Sequence, residues 1–169
     1  MSEQLHALQL AADKLEIIEI INRYAIHFDS RELDAFNSLF AEDCHWSLRV
    51  PNRLEPIASI DCRSDLMARI VDAMDNMGEA DISVGSFHLQ TGTVFDSLSA
   101  TTAQTRTLVI ILNQEFSDDG AELDPLNWFT RMQTQIPFGG VYHDQFQRVG
   151  DKWKFSERIF LPTAYVRPK

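Results

Sequence analysis

The chain has 169 residues, the usual size of one domain and too short for two hydrophobic cores. Hydrophobic residues make up 44% of the sequence and charged residues 24%, a balance typical of a globular protein rather than a disordered one. The formal net charge of −10 disfavours nucleic acid and anionic membrane surfaces as partners, because like charges repel.

The first third of the chain has the apolar periodicity of an amphipathic helix. Apolar residues at positions 5, 8, 12 and 15 have helical spacing and predict a first helix. Asp13 is followed three residues later by Glu16, a capping-box pattern, so we predict that a second helix starts at Asp13 and runs to Phe28. Tyr24 lies on the apolar stripe of this helix.

Two shorter elements follow. Asp29 and Glu32 form another cap pattern, which predicts a helix over residues 33–40. Apolar and polar residues then alternate from position 44 to position 50, which predicts a strand. We expect the stretch from Pro51 to Pro56 to end this strand.

The remainder of the chain changes from helix to long strands. Helical spacing over residues 64–77, with Gly78 as the stop, predicts one more helix. Four runs rich in β-branched and aromatic residues predict strands: 83–98, 100–113, 139–149 and 152–161. Gly150 lies in a turn that joins the last two as a hairpin. Segment 114–136 is long for a hairpin loop, and insertions of this size often serve as lids or oligomer contacts.

This order of elements predicts the fold class. Helices followed by antiparallel strands indicate a single α+β domain over residues 1–169, with the helices on one face of the sheet. We expect a cone-shaped, strongly curved mixed or antiparallel sheet, with the N-terminal helices packed across its concave face. The open end of such a cone is the natural pocket.

Asp29 and His88 are the candidates for acid/base chemistry. A carboxylate beside an apolar pocket can act as a base or orient a histidine, although Asp29 also fits an ordinary helix cap. His88 shares its side of the predicted strand with Gln90, and Phe87 lies on the other side. An imidazole held by a carboxylate is a ready general base, and a half-exposed strand histidine without a role is the alternative.

Aromatic residues are the candidates for the pocket wall, although each is equally typical of a plain core. They are Phe28, Trp46, Tyr142 and, depending on which way the strands face, Phe87 or Phe160. Arg158 could reach a substrate oxygen. A surface ion pair with Asp144 is the favoured alternative for this arginine.

The sequence lacks the motifs of cofactor and metal sites. Cys44 and Cys62 have no zinc-ligand spacing, and no nucleotide, flavin or zinc-protease motif is present, so we expect no cofactor and no metal. No apolar run is long enough to span a membrane, and the first residues do not resemble a secretory signal. We therefore expect a cytoplasmic protein.

Three parts of the sequence together resemble the SnoaL-like branch of the nuclear transport factor 2-like superfamily. They are residues 21–29 with 33–43, residues 86–88, and residues 140–146 leading to 153–155. The resemblance spans about residues 10–162. It implies a cystatin-like fold, on which this superfamily hosts many activities.

Within that group the pattern resembles scytalone dehydratase, bile-acid 7α-dehydratase and hexachlorocyclohexane dehydrochlorinase. The resemblance implies that His88 removes a proton, that Asp29 pairs with it, and that an elimination follows. Tyr24 lies where the bile-acid enzyme has a pocket tyrosine. Scytalone dehydratase has tyrosines where this chain has Phe28 and Trp46, so a different and less polar pocket is expected.

The sequence therefore predicts a cofactor-independent lyase of the dehydratase kind, or an isomerase, acting on a small cyclic or aromatic hydrophobic substrate. Tyr24, with Tyr142 or Arg158, would hydrogen-bond the oxygen on which charge develops. Two alternatives remain open: a non-catalytic β-type subunit of a ring-hydroxylating dioxygenase, and a small-ligand-binding or dimerisation module. The resemblance also implies self-association, as a dimer or a trimer.

Overall fold

The computed structural model describes residues 3–51, 53–76, 84–116 and 132–163. Its helices are α1 (Glu3–Asp29), α2 (Leu33–Asn37) and α3 (Arg63–Asn76). Its strands are β1 (Phe40–Leu48), β2 (Ala58–Ile60), β3 (Val84–Leu98), β4 (Thr102–Phe116), β5 (Met132–Val149) and β6 (Lys152–Pro162).

Within the described residues, the strands form a single curved sheet in the order β2-β1-β6-β5-β4-β3. The pairing of β1 with β6 is parallel, and the other neighbours are antiparallel. The helices precede or interrupt the first strands, and the long strands follow, which confirms the predicted α+β class with a mixed sheet. No helix in the described ranges is long and apolar enough to cross a membrane.

The core lies between α1 and the sheet. The apolar stripe of α1 is buried against β3 and β6, and aromatic side chains from α2, β1, β5 and β6 fill the remaining space. Burying each such side chain fully contributes about 1.5–3 kcal/mol. The packing of α1 fixes where its last turn ends relative to β3, and this contact positions the candidate site.

The predicted helix start at Asp13 is wrong, because α1 is one continuous helix from Glu3 to Asp29. Asp13 lies in its middle and is buried. Its carboxylate accepts hydrogen bonds from Trp153 Nε1 (3.3 Å) and Gln9 Nε2 (3.0 Å), and it pairs with Arg148. These bonds satisfy the carboxylate without a helix end, so the capping-box pattern has no structural counterpart here.

The predicted boundary between the second helix and the first strand is also wrong. The second helix ends at Asn37, and Phe40 opens β1 instead of extending the helix. The backbone N–H of Phe155 donates to the carbonyl of Leu39 at 2.9 Å, so pairing with β6 begins before the predicted strand. The three-residue strand β2 was not predicted; it pairs with the end of β1.

The long strands lie where the sequence predicts them, but β4 and β5 extend into the segment that was predicted as a loop. β4 extends to Phe116 and β5 begins at Met132, and these ends pair with each other. The outer parts of segment 114–136 are therefore strand rather than loop. Residues 117–131 and Gly78 lie outside the described residues.

Candidate active site

The end of α1 places a carboxylate beside the edge strand β3. The helix closes with the N–H of Glu32 donating to the carbonyl of His27 (2.8 Å) and the N–H of Arg31 donating to the carbonyl of Phe28 (3.1 Å). This is the Schellman pattern, with Arg31 in the left-handed region at φ 58°. Asp29 therefore projects from the last turn, where the helix dipole disfavours a negative charge.

The carboxylate of Asp29 receives two hydrogen bonds from His88. Its Oδ1 lies 2.7 Å from His88 Nδ1, and its Oδ2 accepts the backbone N–H of His88 at 2.8 Å. The two side chains are 8% and 12% exposed, for His88 and Asp29 respectively. An ionised acceptor shielded from water makes such bonds shorter and stronger than neutral ones.

This geometry decides between the two interpretations of Asp29. Its carboxylate bonds to His88 on another element, and Glu32, not Asp29, occupies the N-cap position of α2, without a side-chain cap bond. The cap interpretation is therefore wrong. Because a carboxylate only accepts, Nδ1 of a neutral His88 carries the proton and Nε2 keeps its lone pair.

His88 lines an apolar cavity of about 270 Å³. Aromatic and aliphatic side chains from α1, α3 and the sheet form most of its wall. The lining residues are Tyr24, Phe28, Trp46, Leu48, Ile60, Leu66, Arg69, Ile70, His88, Ile111, Tyr142 and Phe160. Asp29 borders a separate groove between α1 and β3, so the carboxylate supports the imidazole from behind.

Tyr24 and Phe28 hold the imidazole ring edge-on. Their ring centroids lie 6.1 Å and 5.0 Å from that of His88, with interplanar angles of 83° and 76°. The rings of Tyr24 and Tyr142 meet edge to face, with their centroids 5.8 Å apart. Burial raises the pKa of both phenols, so both keep their protons at neutral pH and serve as hydrogen-bond donors.

A buried ion pair supports the two tyrosines from below. Arg158 is fully buried and donates from Nε and Nη2 to the Asp144 carboxylate at 2.8 and 2.9 Å. Its guanidinium carbon lies 3.9 Å from the Tyr24 ring centroid and 4.0 Å from that of Tyr142. Burial alone would lower the pKa of Arg158, but Asp144 and the two phenols raise it above its usual value, so the cation persists.

Gln90 connects this ion pair to α1. Its amide nitrogen donates to the carbonyl of Ile21 at 3.0 Å, and its amide oxygen accepts from Arg158 Nη2 at 3.3 Å. The sequence placed Gln90 on the same strand side as His88 but gave it no role. That shared side was the signal that could have identified it.

The structure brings most of the predicted site residues together. His88, Tyr24, Phe28, Trp46 and Tyr142 all line the cavity, while Asp29 binds His88 from behind.

Two predicted positions need correction. Arg158 does not line the cavity; it pairs with Asp144, but as a buried pair and not a surface one. Phe87 faces outward and is exposed. Of the two phenylalanines that were considered for the cavity wall, Phe160 lines it. Arg69 and the aliphatic residues of α3 and β4 were not identified as lining residues.

The chain was also compared with known protein families. Residues 9–159 match the family model of the SnoaL-like domain. The chain belongs to this family. Among curated proteins no similar sequence is found. Within the described residues, no group of three or more His, Cys, Asp or Glu side chains converges as a metal site would require.

Solved structures with the same fold include three informative neighbours of this SnoaL-like chain. An NTF2-like protein with a cystatin-like fold from Novosphingobium aromaticivorans has a TM-score of 0.71 and 19% identity, covering 97% of this chain and 90% of that one. A candidate scytalone dehydratase from the same organism has a TM-score of 0.65 and 20% identity, covering 91% and 86%. The benzoate 1,2-dioxygenase β subunit of Burkholderia mallei has a TM-score of 0.67 and 12% identity, covering 87% and 88%. These likenesses establish the fold.

Proposed function

We propose that the chain is a cofactor-independent acid/base enzyme, a lyase of the dehydratase kind or an isomerase, with His88 as its general base. The 2.7 Å hydrogen bond between Asp29 Oδ1 and His88 Nδ1, beside an apolar cavity lined by the same imidazole, carries this proposal. A general base needs both a fixed tautomer and a reachable lone pair, and this arrangement supplies both.

The reaction begins when Nε2 of His88 takes a proton from a carbon next to a carbonyl group. The C–H electron pair moves to form an enolate, and the carboxylate of Asp29 stabilises the imidazolium that results. In a dehydration, the C–O bond on the adjacent carbon then breaks as the C=C bond forms, and His88 returns the proton to the departing oxygen to release water. In an isomerisation, His88 returns the proton to another carbon.

Tyr24 is the donor that we assign to the enolate oxygen, with the ring of Tyr142 packed edge-on against it. Both hydroxyl groups keep their protons at neutral pH. A preorganised donor of this kind, held in a site that excludes water, contributes about 2.7–4 kcal/mol of transition-state stabilisation. Arg158 would act through the tyrosine rings and not by contact with substrate, because it does not line the cavity.

The cavity favours a small ring as substrate. A volume of about 270 Å³ lies just below the range of pockets for drug-sized ligands, which begins at about 300 Å³. The flat side chains of Phe28 and Trp46 suit the faces of a cyclic or aromatic molecule.

The test is turnover of a panel of cyclic β-hydroxy ketones and enones, followed by the gain or loss of conjugated absorbance. We expect His88→Ala and Asp29→Asn to lower kcat by about 10²–10⁴-fold. His45→Ala is the matched control, because His45 makes a similar 2.8 Å bond to Asp61 on the surface and does not line the cavity. Activity within a few-fold of the unmodified protein in both site variants would remove the proposed mechanism.

A second candidate function is that of a β-type subunit of a ring-hydroxylating dioxygenase. Its support is the shared fold with the Burkholderia mallei β subunit and with the β subunit of a candidate aromatic-ring-hydroxylating dioxygenase from Novosphingobium aromaticivorans (TM-score 0.69, 17% identity, covering 91% of each chain). Affinity purification from the native host distinguishes the candidates. Recovery with a larger iron–sulfur subunit supports the subunit role, and recovery without one, together with turnover in the panel, supports the enzyme.

Self-association is part of the same proposal. The outer face of β3 and β4 exposes a continuous apolar patch of Phe87, Leu89, Leu108 and Ile110. Covering this patch with a second copy of the chain would remove it from water. Light scattering of the native protein and of Leu108→Lys tests this: a native oligomer that the substitution dissociates supports it, and a native monomer contradicts it.

A further inference from the structure

One charged side chain shares the apolar cavity with His88. Arg69 lines the cavity together with Leu66 and Ile70 of the same helix, α3. Among the described residues, no carboxylate lines this cavity, since Asp29 borders the separate groove between α1 and β3. In a chain with a net charge of −10, a cation beside an apolar cavity marks a local preference for negative charge.

Arg69 and His88 reach the cavity from opposite ends of the sheet. The helix α3 packs against β1, near one edge, whereas β3 with His88 is the strand at the other edge. The side chain of Arg69 is 71% exposed although it lines the cavity, as expected of an arginine whose apolar stem packs on the wall while its charged end reaches water. A molecule that contacts both residues has its apolar body between the reacting carbon and Arg69.

The guanidinium of Arg69 retains capacity for a ligand. Nη1 donates to Asp72 Oδ2 at 2.9 Å, one turn along the same exposed helix face. A guanidinium carries five N–H donors in a planar fork, which matches the two oxygens of a carboxylate. The bond to Asp72 therefore orients the group without using all of its donors.

We propose that Arg69 selects ligands that carry a carboxylate, or an anion of similar size, at the end of the ring remote from the reacting carbon. This inference rests on the proposed function for the chemistry at His88. It names the substrate class of that cavity: a small apolar ring acid. Binding measurements alone test the role of Arg69. This role can therefore be refuted while the acid/base mechanism at His88 stands, and the mechanism can be refuted while the role of Arg69 stands.

The experiment compares 2-naphthoate with its neutral isostere 2-naphthamide, with binding measured by titration calorimetry at low ionic strength. We expect the native protein to bind the acid about 1.5- to fivefold more tightly, the range of a solvent-exposed ion pair. Arg69→Gln should abolish this preference, and Asp72→Asn should increase it. Arg23→Gln is the matched control, since Arg23 forms an exposed intrahelical pair with Glu19 and does not line the cavity.

Turnover is not needed for this readout, so His88→Ala should retain the preference for the acid. Its loss in His88→Ala would show that the anion binds the imidazole, and this would overturn the assignment to Arg69. Three other results would also overturn the assignment. They are an unchanged preference in Arg69→Gln, tighter binding of the amide than of the acid by the native protein, and no binding of the acid at millimolar concentration.

Discussion

The buried ion pair between Asp144 and Arg158 gives the sharpest expectation about stability. Asp144→Asn keeps the shape of the side chain but removes its negative charge. In the native protein this carboxylate accepts two hydrogen bonds from Arg158, at 2.8 and 2.9 Å. Arg158 is fully buried, so its cation cannot turn to water. Arg158 already contacts Gln90 and the Tyr24 and Tyr142 rings in the native protein, so these contacts do not compensate for the loss of the carboxylate in the variant.

Removing one partner of a buried pair costs about 3–5 kcal/mol, because the remaining charge is uncompensated. That is a large share of the roughly 5–15 kcal/mol by which domains are stable. Urea unfolding followed by tryptophan fluorescence measures the free energy of unfolding, with Trp153 as a buried reporter. Asp96→Asn is the control, because Asp96 pairs with Arg106 on the surface and its loss should lower this free energy far less than the loss of Asp144 does.

A double variant separates the uncompensated charge from a packing defect. Asp144→Leu with Arg158→Met replaces both charges by apolar groups, which is often close to neutral for buried pairs. We therefore expect the double variant to be more stable than Asp144→Asn alone. A loss below about 1 kcal/mol in Asp144→Asn, or a double variant less stable than the single one, would refute this reasoning.

Three further outcomes follow from backbone geometry, packing and ionisation. Arg31→Gly should stabilise the protein by about 0.5–1 kcal/mol, because Arg31 holds φ at 58°, where glycine is unstrained. Gly140→Ala should lower stability by about 1–3 kcal/mol and disturb the cavity wall, since the new Cβ would lie 2.6 Å from the Phe160 ring and 2.9 Å from Pro162 Cα. Burial raises the pKa of the Cys44 thiol from about 9 to about 11, so this thiol ionises at lower pH in the unfolded chain than in the folded one. The free energy of unfolding should therefore fall between pH 9 and pH 11, and Cys44→Ala should make this fall smaller.

Each of these outcomes has a direct check. Thermal or urea unfolding at pH 7 measures the first two. Lower stability in Arg31→Gly would contradict the first, and an unchanged free energy of unfolding in Gly140→Ala would contradict the second. Urea unfolding across the alkaline range measures the third. An identical pH slope in Cys44→Ala and in the native protein would contradict the assignment of that slope to the thiol.

The sequence was informative where local pattern and tertiary packing agree. The long strands carry β-branched and aromatic residues over many positions, and the structure has strands there. Alternation along β3 placed His88 and Gln90 on one side and Phe87 on the other, as the cavity and the exposure of Phe87 show. The helix-terminal position of Asp29 was also readable, although its partner came only from the family resemblance.

The sequence misled where distant residues satisfy a polar group. Asp13 has the local pattern of a helix cap, but its partners Arg148 and Trp153 lie at the other end of the chain. Phe40 continues a helical stripe, yet pairing with β6 draws it into a strand. Arg158 was expected at the surface or in the pocket because strand alternation does not show that Asp144 and two aromatic rings enclose it.

The central claim is that Asp29 holds His88 as the Nδ1–H tautomer, with Nε2 free to act as a base. Long-range ¹H–¹⁵N NMR correlations of the imidazole, assigned with His88→Ala, report the protonation of each nitrogen at neutral pH. We expect a protonated Nδ1 and an unprotonated Nε2 in the native protein, and loss of this preference in Asp29→Asn. A neutral His88 protonated on Nε2, or a tautomer ratio that Asp29→Asn leaves unchanged, would contradict the account.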